Sequence, residues 1–358
     1  MPSAILAPTK VSATELDEFL ARGWRPLGQR IYTADFIQLE LGEIFSVIPT
    51  RLPLTTHKWK KRHRKLLRQN NDRFQYRIGR AEITDEKREV NERYMREHPT
   101  KSTDELDIHT IHSGRRIFNT LECCVYDGDQ LVAFSFFDCG KNSAYSKAGI
   151  YDPAYKKFSL GIYTMLLEMR WCQTEGLKYY YPGYISPDIP LFDYKKEIGN
   201  IEFWSLQDRT WHSYELYEKD KFGPLIVMQN RLSVAQEELE EQGYQVQLNQ
   251  YVFFEMQMMQ KGHYKLLDTP CFLFLHCPTA QQAWVGIYRL ELDCYECWHC
   301  DFNRMITFFE PTPRSLELFP YVLELRKLRF RCSTAKEFSL LLLDQLDPSH
   351  QNPRPRQH

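Results

Sequence analysis

Between Tyr151 and Lys195 the apolar period of the chain changes from two residues to about 3.6 and back to two, the pattern of a strand, a helix and a second strand in succession. The segment reads YDPAYKKFSLGIYTMLLEMRWCQTEGLKYYYPGYISPDIPLFDYK. A strand ends at Tyr151, a loop containing Pro153 follows, and Ser159, Leu160 and Gly161 stand at the mouth of the helix; the second strand runs through residues 178–181. Chemistry in such a unit usually sits where the first strand hands over to the helix. Unpaired backbone N–H groups and the positive end of the helix dipole face outward there, favouring a phosphate, a carboxylate or a developing oxyanion. The active site is expected at this junction.

At 358 residues the chain has room for two domains and a sizeable core, taking roughly 150 residues per domain. No stretch approaches about 18 uncharged apolar residues and MPSAILAPTK is too short in apolar run for a signal peptide, so a cytoplasmic protein without membrane contact is expected. Ten cysteines in such a chain read as buried thiols or metal ligands rather than disulfides. The net charge is −1, so only local charge can point to a polyanionic partner.

That local signal lies upstream. Between Glu43 and Asp72 no acidic residue occurs, while Arg51, Lys58, Lys60, Lys61, Arg62, Arg64, Lys65 and Arg68 do. Trp59, His63, Leu66 and Leu67 form a narrow apolar stripe at helical spacing, which leaves the other faces of this helix cationic. Such a surface suits a sugar–phosphate backbone, since each neutralised phosphate releases counterions. A solvated helix paired with acids elsewhere, such as those at 104–107, is the alternative.

The remaining elements read more simply. Residues 11–22 form a short amphipathic helix with Ser12 or Thr14 as N-cap and Gly23 after its end, and residues 72–110 read as helical and charged. Asp127-Gly128 between two alternating runs marks a hairpin, and the third strand, Ala144 to Tyr151, leads into the opening feature. Adjacent Cys123 and Cys124 point to opposite faces of a strand and read as buried thiols. Antiparallel strands leading into a strand-loop-helix-strand unit are the arrangement of a GNAT-type acyltransferase. Acetyl-CoA members of that class carry a glycine-rich pyrophosphate loop, whereas this loop offers Lys157-Phe158-Ser159-Leu160-Gly161 with a single glycine.

Tyr151-Asp152-Pro153, Ser159-Leu160-Gly161, Tyr181-Pro182-Gly183-Tyr184-Ile185 and Tyr194-Lys195, taken in order, resemble the catalytic-domain signature of arginyl- and leucyl-tRNA–protein transferases. Arg22-Gly23-Trp24-Arg25 and the basic segment ending Arg68-Gln69-Asn70-Asn71-Asp72 resemble it too, so the likeness covers roughly residues 15–205. The resemblance implies a GNAT-like domain that moves arginine or leucine from a charged tRNA onto the N-terminal amine of an acceptor protein, marking it for degradation. No cofactor is then required beyond aminoacyl-tRNA as co-substrate. Two departures stand out. The family's cysteine cluster after Gly-Trp-Arg is missing, since no cysteine precedes Cys123, which puts metal or redox control at that place in doubt. Ala154 and Pro182 also differ from the usual residues, with consequences for donor selectivity.

The reaction implied is aminolysis of an ester, which needs a neutral amine; an α-amino group with pKa near ~8 is already partly neutral. Asp152 and Tyr184 are the catalytic candidates. Asp152 could act on the incoming amine, serve as counter-ion to a cationic aminoacyl group, or simply hydrogen-bond its own loop ahead of Pro153. Backbone N–H groups at Leu160 and Gly161, with Ser159 and Tyr151, could hold the carbonyl oxygen or terminal phosphate, and Tyr194 and Lys195 could line the adenosine or peptide pocket. The tRNA-binding candidates are the cations from Lys58 to Arg68.

The expected fold class is α+β: a GNAT-like mixed sheet with flanking helices, plus a smaller β-rich C-terminal module. The expected divisions are an N-terminal region with the basic helix (1–72), the catalytic domain (73–220), a helical linker (221–250), the C-terminal module (251–346) and a flexible tail (347–358). In the module Cys294, Cys297 and Cys300 have CxxCxxC spacing and, with Cys271, Cys277 and His276, could supply soft ligands to structural zinc or an iron–sulfur cluster. Against this, a strand spreads residues three apart over both faces. Two other functions fit the same residues: a GNAT-like N-acyltransferase of a small amine or peptide, and a non-catalytic RNA-binding relative.

Overall fold

A computed structural model describes residues 3–99, 102–256, 265–279, 281–302 and 318–346, so the tail expected at 347–358 lies outside the described residues. In chain order the strands and helices are β1 (Ser3–Leu6), α1 (Ala13–Ala21), β2 (Arg25–Leu27), β3 (Arg30–Ala34), β4 (Phe36–Gln38), β5 (Ile44–Ser46), β6 (Ile48–Pro53), α2 (Lys61–Asn71), β7 (Gln75–Arg80), α3 (Asp85–Glu97), β8 (Thr120–Asp127), β9 (Gln130–Cys139) and β10 (Ser143–Tyr151). There follow α4 (Leu160–Thr174), β11 (Tyr179–Ile185), β12 (Glu202–Ser205), β13 (Thr210–Ser213), α5 (Lys219–Phe222), α6 (Pro224–Glu241), β14 (Gln247–Gln250), β15 (Cys271–Thr279), β16 (Gln282–Arg289), β17 (Cys294–Asp301), β18 (Glu324–Cys332) and α7 (Ala335–Leu346).

The central sheet has eight strands in the order β13-β12-β6-β11-β10-β9-β8-β7. Its one parallel pair among the described strands is β10 with β11, joined through α4, and the other neighbours are antiparallel. Side-chain alternation sends successive residues to opposite faces. Ala144 and Tyr180 join Leu160, Tyr163 and Leu67 under α4 and α2, whereas Tyr145 and Tyr181 join Leu16, Leu20 and Ile31 under α1 and β3. Phe134, Phe136 and Ile150 pack on Val90 and Tyr94 of α3. The sheet is thus covered on both sides: α4 and α2 on one face, α3 and the small β1-β3-β2 sheet on the other.

Local chemistry explains most element ends. The Ser12 hydroxyl accepts from the Glu15 N–H at 3.2 Å while the Glu15 carboxylate accepts from the Ser12 N–H at 2.7 Å, a capping box that starts α1. The DG turn joins β8 to β9, as the sequence pattern requires. The stretch 72–110 is less helical than its charge suggests, because Gln75–Arg80 forms the edge strand β7, whose side chains are nearly all exposed and so carry no apolar alternation. One buried ion pair secures α3: Lys87 Nζ lies 2.6 Å from Glu122 on β8 and donates to the Glu82 carbonyl at 2.6 Å.

The C-terminal module is a five-stranded antiparallel sheet, β14-β15-β16-β17-β18. Met228, Leu232, Ala235 and Leu239 of α6 share its core with Phe338 and Leu342 of α7, so the stretch expected as a linker contributes a packed helix. Phe36 and Ile44 of the β4-β5 hairpin enter the same core and tie the start of the chain to its end. The central sheet likewise recruits β6 from upstream of the basic helix. The whole is an α+β fold with a mixed central sheet and a smaller β-rich module.

Candidate functional site

The parallel ladder between β10 and β11 comprises only Ser143↔Tyr179, Ala144↔Tyr180 and Tyr145↔Tyr181, although β10 runs on to Tyr151 and β11 to Ile185. Both strands shift register against their outer neighbours just past this point. β10 is bulged against β9 between Ser146 and Ala148, and β11 against β6 between Tyr180 and Gly183. Bulges bend and twist a strand. Two of them on adjacent strands end the shared ladder and open a split, along which the Gly183 and Tyr184 carbonyls accept from Thr50 (3.0 Å) and Lys195 (2.9 Å). Pro182, which has no N–H, and Gly183, at φ +99°, occupy the bulge of β11. Lys147, at the bulge of β10, is held by the carbonyls of Gly28 (2.8 Å) and His109 (2.9 Å) and by Asp138 (3.1 Å).

One side of the split is the strand–helix junction. Asp152 is 6% exposed, and both carboxylate oxygens are engaged: one accepts from the Ala154 N–H at 3.0 Å and the other from Arg93 Nε at 2.8 Å. The chain then makes a 3-10 turn over Pro153–Phe158 and reaches Ser159 in the left-handed region at φ 52°. Ser159 does not cap α4 with its side chain, so the first-turn N–H groups of Leu160 and Gly161 have no intrahelical acceptor. A Cβ on Gly161 would lie 3.7 Å from the Tyr151 ring, which itself packs on Tyr94. Tyr151, Ser159, Leu160 and Gly161 are therefore brought together as the sequence spacing implies.

The basic helix abuts this junction. Leu67 is buried with Leu160 and Tyr163, and the Asn70 side chain donates to the Phe158 carbonyl at 2.9 Å. Lys61, Arg64, Lys65 and Arg68 are exposed on α2, with Lys58 and Lys60 just before it. Of the cations from Lys58 to Arg68, among the described residues only Arg62 finds an acid, Glu197 at 3.0 Å, while Arg51, on β6, pairs with Glu202 at 2.6 Å. The exposed Lys156 and Lys157 continue the cationic surface toward Ser159. His63 lies on the buried stripe, where burial and then the charges of Arg62 and Lys60 push its pKa down to about 4, so it adds no charge at neutral pH.

The other side of the split lies on the opposite sheet face. Lys195 is 9% exposed and donates from Nζ to the Tyr184 carbonyl at 2.9 Å. Its Nζ stands 5.0 Å from the ring centroids of Tyr184 and Phe192 and 5.8 Å from that of Tyr194, which is itself 42% exposed. Burial, and next the charge of Arg25, pull the Lys195 pKa down to about 7. Arg25, Tyr32 and Tyr145 complete this pocket: Arg25 Cζ is 4.8 Å from the Tyr32 ring and 5.1 Å from the Tyr184 ring. A Cβ at Gly183 would lie 3.2 Å from Lys195 Nζ and 3.7 Å from the Tyr145 hydroxyl, so the glycine lets the lysine reach the strand. Arg25, Tyr32 and Tyr145 do not stand out as chemistry in the sequence. The signal available for them was an Arg beside a Pro in a short apolar strand and two more Tyr among 21.

The cysteines of β17 do not gather. Cys294, Cys297 and Cys300 pair in unbroken register with Arg289, Gly286 and Ala283, which turns Cys297 to the face opposite the other two. Burial pushes the Cys297 thiol up to about 12 and raises Cys300 well above its ordinary value, disfavouring the thiolates that a metal needs. Among the described residues no group of three or more His, Cys, Asp or Glu side chains could hold an ion, so the residues present do not fit the zinc or iron–sulfur site considered from spacing. Among the same residues no helix is long and apolar enough to cross a membrane.

Residues 66–205 match the family described as arginine-tRNA-protein transferase, C terminus. Over 195 residues the chain is 26% identical to an aspartate/glutamate leucyltransferase of Leptospira interrogans, a match spanning 53% of this chain and 74% of that protein. It is 37% identical over 78 residues to arginyl-tRNA–protein transferase 1 of Saccharomyces cerevisiae, spanning 22% of this chain and 15% of that one. Among solved structures, L-PGS from Bacillus licheniformis aligns at a TM-score of 0.32 and 11% identity, covering 48% of this chain and 49% of that chain. FemX aligns at 0.31 and 10%, covering 52% and 64%.

Proposed function

We propose that the chain, whose residues 66–205 match the family described as arginine-tRNA-protein transferase, C terminus, transfers leucine or arginine from a charged tRNA to the N-terminal amine of an acceptor protein. The observation that carries this reading is the split between β10 and β11, with exposed cations suited to phosphates outside one face and the rings of Tyr32, Tyr184 and Phe192 gathered round Arg25 and Lys195 on the other. The tRNA lies along α2 and the Lys156–Lys157 turn, where exposed cations neutralise its phosphates. Its aminoacyl ester enters the split at the start of α4, and the acceptor amine enters past Gly183.

The amine nitrogen attacks the ester carbonyl carbon, the bond to the ribose oxygen breaks, and an amide forms as one proton passes from the nitrogen to the departing ribose hydroxyl. Leu160 and Gly161 N–H groups stabilise the carbonyl oxygen as it gains charge. Asp152, with both oxygens engaged by Arg93 and the Ala154 N–H, positions the turn that presents those donors. The Tyr184 ring forms a wall shared by Arg25 and Lys195. Holding ester and amine together supplies much of the rate, since the amine is already partly neutral near its pKa of ~8. No acetyl-CoA loop or metal enters this scheme.

The test is to incubate the chain with tRNA carrying labelled leucine or labelled arginine and a peptide beginning with Asp or Glu, the residues named for the bacterial relatives. Label on the peptide N-terminus is expected with one of the two. Absence of transfer with both contradicts the proposal.

A further inference from the structure

β7 is the last strand of the central sheet, and among the described residues no strand pairs with its outer side. Its register with β8 is unbroken from Gln75↔Tyr126 to Arg80↔Leu121, and the Ala81 N–H continues the ladder by donating to the Thr120 carbonyl at 3.1 Å. Backbone groups of successive residues face alternate sides of a strand. Those of Ala81, Gly79, Arg77 and Gln75 therefore face β8, and those of Tyr76, Ile78 and Arg80 face outward. A row of outward N–H and C=O groups invites another strand, and proteins usually blunt it with a proline, a bulge or a very short edge. Over its six residues β7 has none of these. The opposite edge, β13, is four residues long, and its Trp211 indole is tied to the Ala21 carbonyl at 2.8 Å. The side chains make the β7 edge cationic on both faces. Tyr76, Ile78 and Arg80 lie on the α4 face, where Arg170 donates to the Tyr76 hydroxyl at 3.2 Å; Arg77 lies on the α3 face, 5.4 Å from the Tyr126 ring. Of Arg73, Arg77, Arg80 and Arg170, among the described residues only Arg73 pairs with an acid, Asp127 at 2.6 Å.

We propose that β7 is a docking edge that takes an extended acidic stretch of another polypeptide as an added strand. The backbone and the charge each choose among partners. A peptide strand answers both the outward N–H groups and the outward carbonyls, whereas a sugar–phosphate backbone offers oxygens to the N–H groups and repels the carbonyls. Acids on the incoming strand meet Arg80 and Arg170 on one face or Arg77 on the other. A second copy of β7 brings arginines and no acid to pair with them, because Gln75–Arg80 contains none. The exposed Tyr76 ring and the half-buried Ile78 add apolar contact on the α4 face. On the α3 face a Cβ at Gly79 would meet nothing within 4 Å, which leaves room for a bulky side chain of the incoming strand.

The test adds a fluorescent peptide of alternating Glu and Val, or its Lys and Val counterpart, to the full chain, with binding read by anisotropy and amide hydrogen exchange read in parallel. The Glu peptide is expected to bind and to slow exchange at Tyr76, Ile78 and Arg80; the Lys peptide is expected to do neither. Arg77→Glu with Arg80→Glu reverses one charge on each face and weakens the Glu peptide by about tenfold or more. Ile78→Pro keeps every arginine, removes an outward N–H and abolishes the exchange protection. Absence of binding to the wild-type chain overturns the proposal, as does binding that leaves the three amides unprotected or that the double charge reversal leaves unchanged. Protection that grows with protein concentration in the absence of peptide assigns the edge to a second copy. A double reversal that weakens tRNA retention on filters while peptide affinity holds assigns it to RNA. Either result overturns the proposal as well, and the wild-type exchange measurement decides it even if Ile78→Pro misfolds.

Discussion

Gly183 has backbone geometry that other residues reach only under strain, at φ +99°, and a Cβ there would meet Lys195 Nζ at 3.2 Å. Gly183→Ala is expected to lower stability by about 1–2 kcal/mol, the cost of a left-handed L-residue, and to displace the lysine. Thermal melts and acceptor KM should both register the change. Lys195 itself sets a pH dependence. Its pKa is pulled to about 7 in the folded chain and stands near ~10.4 when unfolded, so the folded state binds fewer protons between those values. Its contribution to stability is fully present above the unfolded value and is lost as pH falls through about 7. Denaturant unfolding of the wild-type chain and of Lys195→Met, compared across that pH range, measures the effect, and the difference between them should shrink as pH rises. Lys195 was legible in the sequence through its place after Tyr194; Arg25 was visible only inside a resembling segment, because burial is a property of packing.

The elements around the split show what periodicity can and cannot convey. The change of period at Tyr151 located the strand, the helix and the return strand, and the DG turn located the hairpin, because each is a local pattern. The edge strand β7 escaped because exposed side chains leave no alternation to read. The split itself escaped because a bulge is set by two strands and their register, although Pro182-Gly183 inside β11 marks the place. The basic block lies largely on the surface, with Arg62 and Arg51 the exceptions through Glu197 and Glu202. Reversing Lys60, Lys61 and Arg64 to Glu should weaken charged-tRNA binding and flatten its salt dependence by roughly one unit of slope for each phosphate that is no longer neutralised. Arg62→Glu should do less. Filter binding across a salt series distinguishes the two. At the buried pair, Lys87→Met leaves Glu122 without its ammonium partner and should cost about 3–5 kcal/mol in denaturant unfolding.

At the scale of the molecule, the two-sided covering of the central sheet gives the split its meaning. α2 and the start of α4 put exposed cations and first-turn N–H groups on one side; the small N-terminal sheet and the segment after β11 gather aromatic rings around Arg25 and Lys195 on the other. The C-terminal module buttresses this arrangement by taking Phe36 and Ile44 of the β4-β5 hairpin, next in the chain to β3, into its own core. Sequence divisions at 72/73 and 220/221 cut through both units, since a chain crosses between layers wherever packing allows and composition need not change at the crossing. Entry of donor and acceptor into the split from opposite faces is the central claim. It is tested most directly by photo-crosslinking, with one probe at the 3′ end of the charged tRNA and another at the second residue of an Asp-initiated peptide, mapped by mass spectrometry. The tRNA probe is expected on residues 151–162 and the peptide probe on Tyr32, Tyr145 or residues 183–195; both probes on the same face would contradict the claim.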